Sequence, residues 1–277
     1  MIGTMLMLAS SVALSPAAQP AQKAWSILEE GVRSKNVDMR TNAVHALRLL
    51  RDNQAAREMA ERALGDDRWA VRAAAAEALG RMGAVSSVSR LRAALGDEEP
   101  EVVLAAANSL SLLGDLTAYE VYSALLTGER KSGPSSMESQ MKVLKDRNAI
   151  AKLCFEEAIG FIPFANLGYK VFKRVGFMKR MTSNDGTSSM RAAAALRLGG
   201  DPDPRGGTAL VNSTADRNWL VRVAVVDAIA GRDDPALLSA VIPLVDDDND
   251  SVKYDAAAAV VRLSVPELPS NPMMHAP

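Results

Sequence analysis

The chain has 277 residues, 48 % apolar but only 4 % aromatic, enough length to bury a substantial core and a composition suited to helices packed through small side chains. With 32 basic against 33 acidic residues the net charge is −1, so no global basic field is available for nucleic acid. A single cysteine, Cys154, excludes an intrachain disulfide and any metal site built on several thiolates.

Met1 to Leu14 carry no charged side chain, and SPAAQPAQKA (15–24) follows. An apolar stretch followed by small residues reads as the core and cleavage zone of a secretory signal, and it is too short to span a bilayer. No Lys or Arg precedes it, so the n-region is atypically uncharged. Residues 1–23 are therefore expected to be a signal peptide, which places the protein in the periplasm or outside the cell; a buried first helix in a cytoplasmic chain is the alternative.

Internal repeats dominate the rest of the chain. The segments RSKNVDMRTNAVHALRLL (33–50), GDDRWAVRAAAAEALGRMG (65–83) and GDEEPEVVLAAANSLSLLG (96–114) align with one another. So do DGTSSMRAAAALRLGG (185–200), DRNWLVRVAVVDAIAG (216–231) and DNDSVKYDAAAAVVRLS (248–264). Taking Arg40, Arg72, Val103, Arg191, Arg222 and Lys253 as anchors, the spacings within the two blocks are 32, 31, 31 and 31. The residue before each anchor is apolar, and apolar residues recur three and seven positions after it, which traces one helical face. Six before the anchor stands Asp66, Asp97, Asp185, Asp216 or Asp247, with Ser34 departing; an acid there is expected to cap the following helix. Partner helices are predicted at 55–64, 86–95, 118–126 and 235–245. A single helix pair cannot bury its own apolar face, so neighbours must stack.

At these residues the chain resembles the HEAT-repeat family, in particular the short bacterial repeats of phycobilisome-lyase-type proteins. The resemblance covers roughly residues 24–128 and 185–264. It implies a right-handed, all-α solenoid of helix pairs about 31 residues long, and a structural ladder in which the recurring Arg of one repeat meets the acid of the next. The ladder residues would be Arg40, Asp66, Arg72, Asp97, Asp185, Arg191, Asp216, Arg222, Asp247 and Lys253. Tetratricopeptide and ankyrin signatures are missing.

Between the blocks, Val103 to Arg191 is 88 residues, longer than two repeat periods. GERKSGPSSMESQ (128–140) reads as a polar loop. LKDRNAIAKLCFEEAIG (144–160) echoes a repeat weakly, with Lys152 at the Arg position and Phe155 in place of a core Ala. FIPFANLGYKVFKRVGFMKR (161–180) then gathers aromatic and basic residues with no acid among them. Two readings stand open for it. It fills a gap in the superhelix, or Phe161, Phe164, Tyr169, Lys170, Phe172, Lys173 and Arg174 form an exposed face for an acidic protein or an anionic membrane surface.

Catalytic signals are few. The only histidines are His45 and His275, and no His-Glu dipeptide occurs, which argues against the di-iron chemistry of deoxyhypusine-hydroxylase-type HEAT proteins. Cys154 reads as a buried apolar residue. The run VDDDNDS (245–251) lacks the Gly and Glu of a calcium loop, with Ser251 and Ala257 in their places. No phosphate-binding or nucleophile-elbow motif appears.

The expected organisation is a signal peptide (1–23), N-terminal repeats (24–128), a loop with degenerate repeat and aromatic–basic insert (129–184), C-terminal repeats (185–264) and a disordered tail (265–277). The expected function is a monomeric, non-enzymatic scaffold without metal or cofactor that binds a protein or peptide partner, not nucleic acid. An auxiliary chromophore-lyase-like enzyme and a peripheral membrane-surface module are the alternatives.

Overall fold

The computed structural model describes residues 18–127 and 187–264. Residues 1–17, 128–186 and 265–277 lie outside that description, and with them the polar loop, the degenerate repeat, the aromatic–basic stretch and the tail.

Twelve α-helices and no strand occur among the described residues. The first block holds α1 (Ala18–Val32), α2 (Val37–Ala46), α3 (Gln54–Ala63), α4 (Trp69–Arg81), α5 (Val88–Ala94), α6 (Pro100–Leu112) and α7 (Thr117–Thr127). The second holds α8 (Ser188–Gly199), α9 (Pro204–Asn212), α10 (Trp219–Arg232), α11 (Leu238–Val241) and α12 (Asp250–Leu263). The helix expected at 235–245 is broken into a 3-10 turn, the short α11 and a second 3-10 turn. Pro243 lies just beyond α11; it has no N–H to donate into the preceding turn and its ring crowds that turn. At the other end, α1 starts at Ala18, so residues 18–23 belong to the first helix.

The repeat is written in the turns as well as in the side chains. Asp52, Gly83, Gly114 and Asp233 all have positive φ, at 56°, 72°, 75° and 51°, and stand eleven or twelve residues after their anchors. At the two glycines the chain reverses through Ala84 N–H to Leu79 C=O (3.1 Å) and Asp115 N–H to Leu110 C=O (2.8 Å). These bonds close the C-termini of α4 and α6 and start the next helix at a fixed angle.

Alanine sets the spacing between helices. Ala43, Ala75, Ala106 and Ala256, three after their anchors, are fully buried, as is Val225. A Cβ added at Gly80 would stand 2.5 Å from Ser109 Oγ, and one at Gly199 would stand 2.8 Å from the Ala228 Cα. Consecutive second helices therefore approach almost backbone to backbone.

The spatial order of the stack differs from the order of the chain. The Ala-rich second helices pack in the sequence α8, α10, α12, α2, α4, α6, and α12 lies directly against α1 and α2. The C-terminal block thus precedes the N-terminal block, and one apolar core runs through both. Helices α7 and α8, at the two outer ends of this order, are the elements that residues 128–186 link along the chain. Complementary surfaces at the joint explain the order. Gly31 of α1 leaves room for the Tyr254 ring of α12, which an added Cβ would approach to 2.4 Å.

Candidate functional site

The Arg–Asp ladder is built as four rungs. Arg40 meets Asp66, Arg72 meets Asp97, and Arg222 meets Asp247, each through Nε at 2.7 Å with Nη2 on the second oxygen; Arg191 meets Asp216 at 3.1 Å. Two parallel N–H···O bonds suit the planar fork of Arg, which Lys cannot reproduce. The guanidinium also reaches back to its own repeat, where Arg40, Arg72 and Arg222 donate from Nη1 to the carbonyls of Ser34, Asp66 and Asp216. Each Arg therefore clamps two turns. The bond to Asp66 holds the Arg40 guanidinium above its ordinary range, and the bond to Asp97 does the same for Arg72.

The acids do not cap the helices directly. Asp66, Asp97, Asp216 and Asp247 accept from the N–H two residues on, at Arg68, Glu99, Asn218 and Asn249. Where the helix has a side-chain cap it comes from the next polar residue, Asn218 for α10 and Asn249 for α12, with Asn36 serving α2. Oδ1 of each carboxylate shapes the turn and also accepts from the Arg Nη2, while Oδ2 accepts from its Nε, a double use that the expected helix cap did not include.

The ladder departs from its pattern at the joint. The last anchor is Lys253, whose ammonium lies 5.7 Å from the Tyr254 ring centroid, and the repeat stacked after it has Ser34 where an acid would stand. In place of a rung there is a buried charged cluster. Arg48 donates from Nη1 to Asp255 Oδ1 (2.8 Å) and from Nη2 to Asp255 Oδ2 (3.1 Å) and Asp227 Oδ1 (2.6 Å). Arg48 and Asp255 are almost wholly buried, so the 3-10 turn that follows α2 is tied to α10 and α12 through one guanidinium. Burial works against the Arg48 charge, but the two carboxylates outweigh it and keep it cationic. Burial also pushes the Asp255 carboxyl up to about 6, against the pull of Arg48.

His45 completes the cluster. Its Nδ1 is 3.0 Å from Arg48 Nη1, and its Nε2 is 3.9 Å from Glu77 Oε2. Desolvation, then the charges of Arg48 and Arg81, push its pKa well below the ordinary value. The imidazole is therefore neutral, with Nδ1 accepting from Arg48 and the proton assigned to Nε2, facing Glu77. No grouping of His, Cys, Asp and Glu suited to a metal occurs among the described residues. Polar ties surround the joint: Lys23 to Asp246 at 2.8 Å, Ser251 Oγ to Asn42 Oδ1 at 3.3 Å, and Arg262 Nη1 to the Leu49 carbonyl at 2.9 Å. Asp246 and Asp247 of the acidic run thus face Lys23 and Arg222.

Sequence reasoning passed over Arg48, Asp227 and Asp255, yet the repeat register carried a signal. Eight after the anchor, where Arg48 stands, the other repeats have Gly80, Ser111, Gly199, Ala230 and Val261; two after it, Asp255 replaces Ala74, Ala105 and Ala224. Charges at positions that are otherwise small mark the joint. Of the residues proposed from sequence for partner binding, Phe161, Phe164, Tyr169, Lys170, Phe172, Lys173 and Arg174 lie outside the described residues, as do Asp185 and Cys154.

The surface adds a second feature. Val85 and Leu116 occupy the same repeat position, thirteen after their anchors, and are 67 % and 84 % exposed. Leu112 and Tyr119 flank Leu116 and are exposed too. Val85 and Leu116 lie in the turns that lead into α5 and α7, while Leu112 ends α6 and Tyr119 is in the first turn of α7.

Comparison with known proteins matches the model of HEAT repeats at residues 56–132 and 177–261. The chain belongs to the HEAT-repeat family. That match describes HEAT repeats and does not extend to the finer likeness to phycobilisome-lyase proteins. No curated protein matches the chain. Among solved structures, human deoxyhypusine hydroxylase in complex with glycerol is similar at 18 % identity, over 90 % of this chain and 99 % of that one, with a TM-score of 0.34. An overlay that loose says nothing about activity.

Proposed function

We propose that this HEAT-repeat protein is a non-catalytic scaffold that binds a protein or an extended peptide along the edge carrying Val85, Leu112, Leu116 and Tyr119. The observation behind this reading is the recurrence of an exposed apolar side chain at one position of two successive repeats. Stacked repeats place such positions about 10 Å apart, which suits a partner running along the edge. Exposed apolar groups framed by polar residues mark interaction surfaces, and HEAT repeats commonly mediate protein interactions. The buried cluster at the joint supports the non-catalytic part of the reading: its charges are spent on one another and on holding three helices.

The test is capture from extract with the full chain beside a Val85→Glu, Leu116→Glu, Tyr119→Glu variant of equal helicity. A protein retained by the former and lost by the latter, with the same difference when the purified partner is titrated, supports the edge. Equal retention by both removes it. We also propose export, supported by the uncharged apolar stretch at residues 1–14. Since Lys23 of α1 is tied to Asp246, cleavage ahead of Lys23 would keep that tie, and mass spectrometry of the mature N-terminus would read it.

A further inference from the structure

The edge that carries Val85, Leu112, Leu116 and Tyr119 is charged as well as apolar, and its charges are layered. Arg81 closes α4 four positions before Val85 and meets Glu77 Oε1 at 3.1 Å. Arg90 of α5 meets Glu61 Oε2 at 3.3 Å, and the other oxygen of Glu61 accepts from the hydroxyl of Ser87, two positions after Val85. Arg92 of α5 meets Asp115, the residue before Leu116, at 2.6 Å. In these pairs the cation is outermost: the arginine side chains are 56–61 % exposed, the carboxylates 7–16 %. Arg57 adds a guanidinium that donates to the Ser86 hydroxyl. At the joint the layering is reversed, with the side chain of Arg262 13 % exposed and that of Asp233 60 %.

The arginines are paired without being saturated. Arg81 donates to its acid from Nε and Arg92 from Nη2, which leaves most of the five N–H donors of each fork unspent. An ion pair this exposed contributes little to stability, so a second carboxylate can bond to the same guanidinium at little cost to the fold. Asp52 beside Arg51, and Glu120 in α7, are exposed acids, so the cationic strip is confined to α4 and α5.

We propose, resting on the assignment of this edge as the binding surface, that its partner is an acidic peptide. Apolar side chains of the peptide lie on Val85, Leu112, Leu116 and Tyr119, and its carboxylates bond to Arg81, Arg90 and Arg92 from the solvent side. Val85 and Leu116 stand about 10 Å apart, roughly the rise of three residues of extended chain, so the peptide carries apolar residues at that spacing with Asp or Glu beside them. Guanidinium forks take carboxylates through paired N–H···O bonds, and a basic peptide is repelled.

The experiment selects random linear peptides displayed on phage against the full chain, then titrates a selected peptide by fluorescence anisotropy. Peptides that occupy the edge are those lost in a Leu116→Ser, Tyr119→Ser variant of equal helicity, which keeps the net charge. Among these, Asp and Glu are expected to outnumber Lys and Arg, and replacing them by Lys in the peptide is expected to weaken binding about tenfold. Arg81→Gln combined with Arg92→Gln should weaken the unaltered peptide to a similar degree, and both effects should shrink as salt is raised. Edge-bound peptides that are neutral or basic, or that bind equally well after the exchange to Lys, would overturn the acidic partner and leave the edge in place. A selection in which no peptide depends on Leu116 and Tyr119 would overturn the edge itself, and this inference with it. Retention on phosphatidylserine vesicles that needs Arg81 and Arg92, with no edge-bound peptide, would overturn it in favour of an anionic lipid surface.

Discussion

Arg48 shows how a single residue decides an interface. Its guanidinium is shared by two carboxylates in a dry joint, so loss of the cation leaves two buried acids uncompensated. We expect Arg48→Met to lower unfolding free energy by about 3–5 kcal/mol in urea titration. Replacing Arg48, Asp227 and Asp255 together by Met, Leu and Leu should recover most of that loss, because well-packed apolar groups often match a buried ion pair. If the triple variant is as unstable as Arg48→Met, the cluster is not an isolated unit.

His45 gives the joint a pH dependence whose sign follows from its depressed pKa. Above pH ~6.5 the ring is neutral in both folded and unfolded chains, so its contribution is complete there. As pH falls below that value only the unfolded chain takes up the proton, and stability drops by up to about 1.4 kcal/mol per pH unit. Arg48 and Arg81 oppose protonation, and Glu77 Oε2 lies 3.9 Å from Nε2. Asp255, raised to about 6, acts in the opposite sense at lower pH, since the folded chain then binds its proton first. The difference between wild type and His45→Gln, followed from pH 7.5 to 5, isolates the histidine: the wild type should lose more stability on acidification. A constant difference would show that the ring takes up its proton in the folded state as readily as in the unfolded one.

At the scale of the helix pair, the ladder and the small side chains act together. Arg72 bridges Asp97 of the next repeat and the Asp66 carbonyl of its own. We expect Arg72→Ala to cost about 1.5–3 kcal/mol in thermal or urea unfolding, the range for charge-assisted bonds in partly buried positions. Arg72→Lys should recover only a minor part, since an ammonium cannot bond both oxygens and the carbonyl with the same planar geometry. Full rescue by Lys would reduce the ladder to simple charge attraction.

Much of this scale was legible in the sequence. Apolar residues one before and three and seven after each anchor gave the second helices, and the 31-residue period gave the partner helices, whereas the turns at Gly83 and Gly114 emerged only in the structure. Pro243 was visible, but its effect on the helix expected at 235–245 depended on how little else held that helix. The role of the acids was less accessible, because an Asp ahead of a helix can cap it or shape the turn, and only geometry separates the two. The joint left its trace in Arg48, Asp255, Lys253 and Ser34. Each departs from its repeat column, and the four gain a common meaning only when α12 and α2 are seen to be neighbours.

At the scale of the whole molecule, the order of packing sets what can cooperate. A solenoid is held by nearest-neighbour interfaces, and here one of those interfaces joins the two ends of the described chain. Damage at the joint should therefore weaken α1 and α12 together although more than 200 positions separate them. Period alone cannot reveal this arrangement, because every second helix offers nearly the same apolar face and sequence order suggests sequential stacking. What selects α12 for α1 and α2 is chemistry at a few positions: the space beside Gly31 for Tyr254, and the acids that receive Arg48.

Zero-length carbodiimide coupling of the untreated full chain, followed by peptide mass spectrometry of the monomer band, tests that packing order most directly. Lys23 and Asp246 are in contact at 2.8 Å and both are exposed, so an amide between them can form only if the last repeat lies on the first helix. We expect the Lys23–Asp246 cross-linked peptide in the monomer, lost in Asp246→Asn. Its absence from the monomer, or its appearance only in a cross-linked dimer, would contradict the joining of the two blocks within one chain.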